Sequence, residues 1–434
     1  MIESKMASRM EIGHTGGRPT DVALFAKGEK PELGFLFAML VPLMSAISSF
    51  RDLYIGGLNY LAFLTLFVPL LLCLLILVKA GLAPERLRLW PGGALWLVWY
   101  GVVWLSLTWL DGLDEDAIKF AFELSTPFLY GLGGAMFVRS RGQMSILLYA
   151  FSASVIVAFG CIALWKLGLV QFGTGTITSG MALDGRPHSM SLLLPAAVAV
   201  AMYPKRITIC ITVWGSCLLV SAIEGSRGAS LCMLVLPVFH PKIGGLLWRF
   251  ASLGLAMIMA YGVFLLPAMQ QRLFPQTGEG TIADLFNNKV SGTGRFDVWP
   301  LVLERVFERP WLGHGVSSAA RYIPTVWPKM ESPHNEFLRI SYEMGTVGLV
   351  VFCFVLIWQM GLILRHVRRL TDPFDVAAIA VFLCFVGFIF MCMTDNPLSS
   401  NLRLLNPAFL LLGSAMAATT QSDLRFGPRS SQAM

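Results

Sequence analysis

The chain has 434 residues, of which 56% are hydrophobic and 14% charged, and its formal net charge is +7. A soluble domain is nearer half apolar and a quarter charged, and here the surplus falls into runs of roughly 17 to 25 residues with almost no charge, the length that spans a hydrocarbon core. That excludes a soluble globular enzyme, a disordered chain and a coiled coil, and it reads the basic excess as cytoplasmic loops, with no nucleic-acid partner.

Residues 1–32 are polar and mixed in charge, and no apolar core follows the first basic residues closely. They read as a cytoplasmic tail, not a cleavable signal peptide. Twelve apolar segments follow near 33–50, 59–80, 92–110, 117–137, 145–167, 188–203, 206–223, 228–240, 243–268, 345–364, 374–393 and 403–419. In lipid each segment must satisfy its own backbone, so they are predicted as helices. The segments 188–203 and 228–240 are short for a straight span and read as tilted, broken or buried. The expected fold is all-α: a polytopic integral membrane protein of about 12 transmembrane helices, with a large loop between the ninth and tenth spans. The expected division is a tail at 1–32, nine spans within 33–269, the loop at 270–333, three spans within 334–419 and a second cytoplasmic tail at 420–434.

With the first tail in the cytoplasm, that side holds most of the basic residues, among them Lys79, Arg86, Arg88, Arg139, Arg141, Lys205, Arg206, Lys242, Arg365, Arg368 and Arg369. The short outer loops hold little beyond Arg51, Arg186, Arg227 and Arg403. This bias predicts both termini inside. All eight cysteines lie in apolar runs and form no CxxC pair, so they read as small buried hydrophobes.

The outer loop, roughly from Gln270 to Ser332, carries Phe274, Phe286, Phe296, Trp299, Trp311 and Trp327 among polar residues. So many aromatics argue against a disordered linker. The stretch Phe296–Phe307 has helical spacing of apolar positions. Asp297 helps start it, Pro300 is tolerable only in the first turn, and Pro310 stops it.

Polar residues at the mouth of a bundle are costly unless used or paired. The acidic run Asp111, Asp114, Glu115 and Asp116 offers oxygen ligands for a divalent metal, but a solvated face is the simpler reading. In Gly185-Arg186-Pro187-His188, Arg186 is a candidate cation for an anionic ligand and His188 a candidate acid or base. In Gly225-Ser226-Arg227-Gly228, small residues flank an Arg whose planar fork suits a phosphate; alternatively it snorkels to the interface. In Gly292-Thr293-Gly294-Arg295, a helix N-terminus and Arg295 read either as an anion contact or as a surface turn. In Ser332-Pro333-His334-Asn335-Glu336, Ser332 reads as the N-cap and His334 as a first-turn residue. The positive helix end disfavours imidazolium, which suits a general base; the alternative is a histidine bonded to a loop carbonyl. Asn335, Glu336 and Arg339 are supporting candidates beside it.

The order Ser226-Arg227-Gly228-Ala229, Gly294-Arg295-Phe296-Asp297-Val298-Trp299, Trp311-Leu312-Gly313-His314-Gly315 and His334-Asn335-Glu336-Phe337-Leu338 resembles the O-antigen ligase and Wzy-type polymerase family over roughly residues 185–395. The resemblance implies a bacterial inner-membrane enzyme with its site facing the periplasm. Such enzymes transfer a glycan from polyprenyl (undecaprenyl) diphosphate to an acceptor hydroxyl without a metal or other cofactor. It implies essential roles for residues matching His334, Arg227 and Arg295. Where the family often shows Pro-Asn before the sixth span, this chain has Pro187-His188.

The expected partners are thus a lipid-linked oligosaccharide donor, a lipid-linked glycan or lipid A core as acceptor, and membrane lipid. Polymerisation of exopolysaccharide or O-antigen repeat units is favoured, with ligation to lipid A core as the alternative. A protein O-glycosylating relative would carry a longer extension after Arg403. A transporter or flippase is the reading from another class. It would call for related halves, broken helices and midplane charges, whereas polar residues here gather at the outer mouth.

Overall fold

The computed structural model describes residues 32–47, 54–55, 58–82, 89–109, 114–167, 189–223, 225–286, 294–328, 330–401 and 403–426. Apart from one two-residue antiparallel pairing, Tyr54–Ile55 with Leu58–Asn59, the regular structure described is helical. The helices are α1 (Leu33–Ile47), α2 (Tyr60–Leu82), α3 (Gly93–Leu105), α4 (Glu115–Phe137), α5 (Arg141–Lys166), α6 (Leu193–Ala201), α7 (Ile207–Ile223) and α8 (Arg227–Val235). They continue with α9 (Leu246–Phe264), α10 (Pro267–Leu273), α11 (Ile282–Phe286), α12 (Arg295–Glu308), α13 (Ser318–Val326), α14 (Glu336–His366), α15 (Phe374–Cys392) and α16 (Leu405–Phe426). Each of the twelve apolar segments falls on a helix. Among the described residues, four helices are long and apolar enough to cross a membrane: Arg141–Gly160, Leu246–Phe264, Glu336–His366 and Phe374–Cys392. Seven further apolar helices, including Ile207–Ile223 and Leu405–Thr419, are shorter.

The helices differ in what surrounds them, and this follows from their sequences. α15 is apolar on every face and buried on nearly every face, packed along α6 and α16. α9 is also apolar, yet Leu247, Phe250 and Ile258 stand 84%, 61% and 70% exposed. A helix that is greasy on its outside has lipid as its solvent. α4 and α16 cross through glycine. A Cβ on Gly134 would overlap the Leu410 carbonyl, and one on Gly413 would overlap the Gly131 carbonyl. Small residues that let two backbones touch are how helices associate without a hydrophobic drive. The buried Gln359 of α14 is satisfied by the turn before α3, receiving from Trp90 Nε1 at 3.3 Å and donating to the Pro91 carbonyl at 3.2 Å. Seven cysteines among the described residues carry free thiols.

The described residues between 270 and 333 are folded. Val298, Val302 and Val306, four apart on α12, pack with Ala319, Ile323, Met330 and Tyr342 into a small second core. The predicted amphipathic helix is therefore present, with Gly294 before it and Arg309 after it. Pro300 departs from expectation. It is the sixth residue of α12, past the first turn, where its ring removes the N–H that would meet the Phe296 carbonyl.

This second core is stitched to α14 at a kink. Gly345 has φ 66 and ψ −170 inside α14, a conformation open essentially to glycine. Residues 310–315 lie in the notch. His314 N–H donates to the Tyr342 carbonyl at 2.9 Å, Gly315 N–H to the Glu343 carbonyl at 2.7 Å, and Thr346 N–H to the Pro310 carbonyl at 2.8 Å. Beyond the kink, α14 and α15 pack as a helical hairpin, so the end of α15 returns to the level where α14 begins.

Candidate functional site

His334 lies in the turn that leads into α14. The helix starts at Glu336, and its N-cap is Asn335, whose Oδ1 accepts from Leu338 N–H at 3.1 Å. This corrects the expectation that Ser332 caps the helix and that His334 sits in the first turn. Ser332 is used otherwise: its Oγ accepts from Asn396 Nδ2. His334 itself takes φ 50, a left-handed conformation rare outside glycine and costing on the order of 1 kcal/mol. Trp299 of α12 fixes the turn by donating its Nε1 hydrogen to the Pro333 carbonyl at 2.7 Å.

The imidazole faces the end of α15. His334 Nδ1 is 3.4 Å from Asp395 Oδ1 and 3.2 Å from Asn396 Nδ2. Asp395 Oδ1 also accepts the Asn396 backbone N–H at 2.9 Å. Burial pushes the Asp395 carboxyl up, but the His334 hydrogen bond and charge, the Asn396 N–H and the Arg295 charge outweigh it and hold the carboxyl below its usual range. A proton on Nδ1 shared with the Asp395 carboxylate would leave Nε2 free to accept a proton, whereas the Asn396 amide, as a donor to Nδ1, would call for the other tautomer.

Three guanidinium groups gather at this end. Arg227 opens α8 and is in electrostatic reach of Arg295, which opens α12, and of Arg272 at the end of α10. Arg295 in turn feels Asp395. Burial lowers the Arg295 guanidinium from its ordinary value while Asp395 draws it back up, and its Nε is buried without a hydrogen-bond partner among the described residues. α8 is seated directly on the Asp395 segment, for a Cβ on Gly228 would lie 3.1 Å from Thr394 Oγ1. Arg227 and Arg295, in reach of each other and with Arg295 also in reach of the Asp395 carboxylate, make a site that calls for an anion.

The supporting residues act on the backbone that carries the pair. Glu336 is fully buried and its Oε1 accepts from Leu398 N–H at 2.8 Å. Arg339 Nε stands 2.9 Å from Glu336 Oε2, and Arg339 Nη1 donates to Ser399 Oγ at 2.5 Å. The two side chains thereby fasten the start of α14 to the segment holding Asp395. Asp114 of the acidic run caps α4 by accepting from Ala117 N–H at 2.6 Å and pairs with Arg321 at 2.8 Å, a structural use. Arg186 and His188 lie outside the described residues. Asp395, Asn396 and Arg272 were not expected from the sequence. The available signal for Asp395 was an ionisable residue at the end of a long apolar run.

Residues 210–353 match the family described as O-antigen ligase. Arg227, Arg272, Arg295 and His334 fall inside that match; Asp395 lies beyond it. The chain is 24% identical over 153 residues to a Rickettsia conorii protein described as a polysaccharide ligase, covering 32% of this chain and 34% of that protein. It is 25% identical over 133 residues to the ComP-specific O-oligosaccharyltransferase of Acinetobacter baylyi, covering 29% of this chain and 23% of that protein. A Rickettsia prowazekii protein, also described as a polysaccharide ligase, is 25% identical over 174 residues, or 35% of this chain and 40% of that protein. The matches thus span less than half the length of each relative. They support a relationship to the O-antigen ligase family.

Proposed function

We propose that this chain is an inverting glycosyltransferase that moves a glycan from polyprenyl diphosphate to an acceptor hydroxyl at the periplasmic face of the bacterial inner membrane. The observation that carries this reading is the convergence of one imidazole, backed by a carboxylate, with several guanidinium groups at one end of an apolar helix bundle. His334 Nε2 takes the proton of the acceptor hydroxyl. The acceptor oxygen attacks the anomeric carbon and the bond to the phosphate oxygen breaks, with inversion. Polyprenyl diphosphate departs with the negative charge, and Arg227 and Arg295 receive it. No step requires a metal or another cofactor. Arg186, as a further outer cation, is assigned to the same anion.

The charge pattern that predicts cytoplasmic termini supports reading this end of the bundle as the outer one. The apolar exterior of α9 fits a surrounding membrane and a donor with an isoprenoid tail. Two acceptors suit the chemistry. Polymerisation would add to another lipid-linked repeat unit; ligation would add to lipid A core. The family description and the names of the Rickettsia proteins favour ligation. The test is incubation of the purified protein with synthetic polyprenyl-diphosphate glycan, with and without lipid A core, followed by product mass and repeated in EDTA. A ladder of repeats identifies a polymerase, and a single addition to core identifies a ligase. Transfer to neither, or activity abolished by EDTA and restored by Mg²⁺ or Mn²⁺, overturns the reading.

A further inference from the structure

Resting on the reading that Arg227 and Arg295 hold a diphosphate, we propose that Arg272 is a positioning residue that fixes the turn from which Arg227 projects. Arg272 Nη1 donates to the Gly225 carbonyl at 3.0 Å. Gly225 has φ 67, and a Cβ there would lie 3.0 Å from Arg272 Cδ and 3.1 Å from the Ala268 carbonyl, so the end of α10 is pressed against this turn. Among the described residues the turn is also closed by Gly225 N–H to the Ala222 carbonyl and Ser226 N–H to the Ser221 carbonyl, each at 3.0 Å. Ser226 gives α8 no side-chain cap. The direction in which Arg227 leaves the turn therefore depends on the Gly225 peptide plane, and Arg272 holds its oxygen.

The platform under Arg272 is firm. The neighbouring Gln270 is buried; it donates from Nε2 to the Phe264 carbonyl at 2.8 Å and accepts from Gly280 N–H at 2.9 Å. α10 is thereby pinned both to the end of α9 and to the segment that follows. Arg272 and Arg295 are both in electrostatic reach of Arg227, so the three guanidinium groups share one neighbourhood. A turn that ordered only on binding would subtract the cost of that ordering from the affinity. Holding the turn in advance removes that cost from binding.

The test is calorimetric binding of inorganic pyrophosphate to the purified full-length protein. Arg272→Gln is expected to bind about tenfold more weakly than wild type, the weight of one charge-assisted hydrogen bond. Arg272→Lys, which keeps the charge and one donor, is expected to fall between the two. In transfer assays the loss should appear as a raised KM for the lipid-linked donor, with the acceptor KM unmoved. A merely structural residue would lower the melting temperature and leave the pyrophosphate affinity of the folded protein unchanged; that result, or wild-type affinity in Arg272→Gln, overturns the proposal. If Arg272→Gln does not fold, Gly225→Ala strains the same turn, and unaltered pyrophosphate affinity there overturns it equally. Wild-type protein that binds no pyrophosphate sinks the diphosphate reading itself. Wild-type binding together with an indifferent Arg272→Gln sinks only the role of Arg272.

Discussion

His334 Nδ1 and Asp395 Oδ1 lie 3.4 Å apart although 61 residues separate them in the chain. The α14–α15 hairpin brings them together, and each is set by its own local bonds: Trp299 on the Pro333 carbonyl, and the Asn396 N–H on the carboxylate. His334→Ala is expected to lower transfer by about 10² to 10⁴. Asp395→Asn, which loosens the ring without removing it, should lower transfer by about 10- to 100-fold. Initial rates with lipid-linked donor and acceptor measure both, and an undiminished rate in His334→Ala refutes the assignment of the base.

The Asp395 carboxyl also predicts a pH dependence of stability. Its folded value lies below the ordinary 3.8, because the His334, Asn396 and Arg295 contributions outweigh burial. The unfolded chain therefore binds the proton more readily, and stability rises with pH across that window. The contribution is fully present above about 4 and is lost as pH falls through the depressed folded value. Melting temperatures of wild type and Asp395→Asn should differ at neutral pH and converge once the pH has fallen through the depressed folded value. A gap that persists unchanged into acid contradicts the ionised carboxylate.

Arg295 combines a buried Nε that has no partner among the described residues with a like-charged neighbour, Arg227. Arg295→Met should raise stability by on the order of 1 kcal/mol, since it removes an unsatisfied donor. The same change should lower transfer by about 10² to 10³, since it removes a group aimed at the departing charge. Thermal denaturation alongside the transfer assay reads both directions, and a variant that loses stability and keeps activity reverses the argument.

Gly345→Ala tests the kink. The side chain would overlap the Trp311 carbonyl, and the backbone conformation is closed to alanine. A destabilisation of about 2 kcal/mol or more is expected, with early proteolysis of residues 294–330 ahead of the span. Equal protease resistance in the variant would show that the notch does not hold the second core.

Much of this was legible because it is local. The twelve apolar segments lie on helices because lipid leaves the backbone no alternative. α12 is announced by Val298, Val302 and Val306 at a spacing of four. His334, Arg227 and Arg295 stand out as polar residues next to glycines and apolar runs. What stayed hidden is tertiary. Ser332 and Asn335 are equally good caps by composition, and the choice between them is settled by Asn396, 64 residues from Ser332. Asp395 reads as the frayed end of a span until the hairpin returns it to His334. Arg272 is one basic residue among many until the Gly225 carbonyl is seen to need it.

The hairpin sets one further condition. Each residue of a helix advances the chain by about 1.5 Å and turns it by about 100°. Adding or deleting a single residue in α15, or in α14 after Gly345, would therefore rotate Asp395 out of register with the imidazole like a thread advanced by part of a turn. Packing governs the side chains along these two legs, but the number of residues in them is a dimension of the machine.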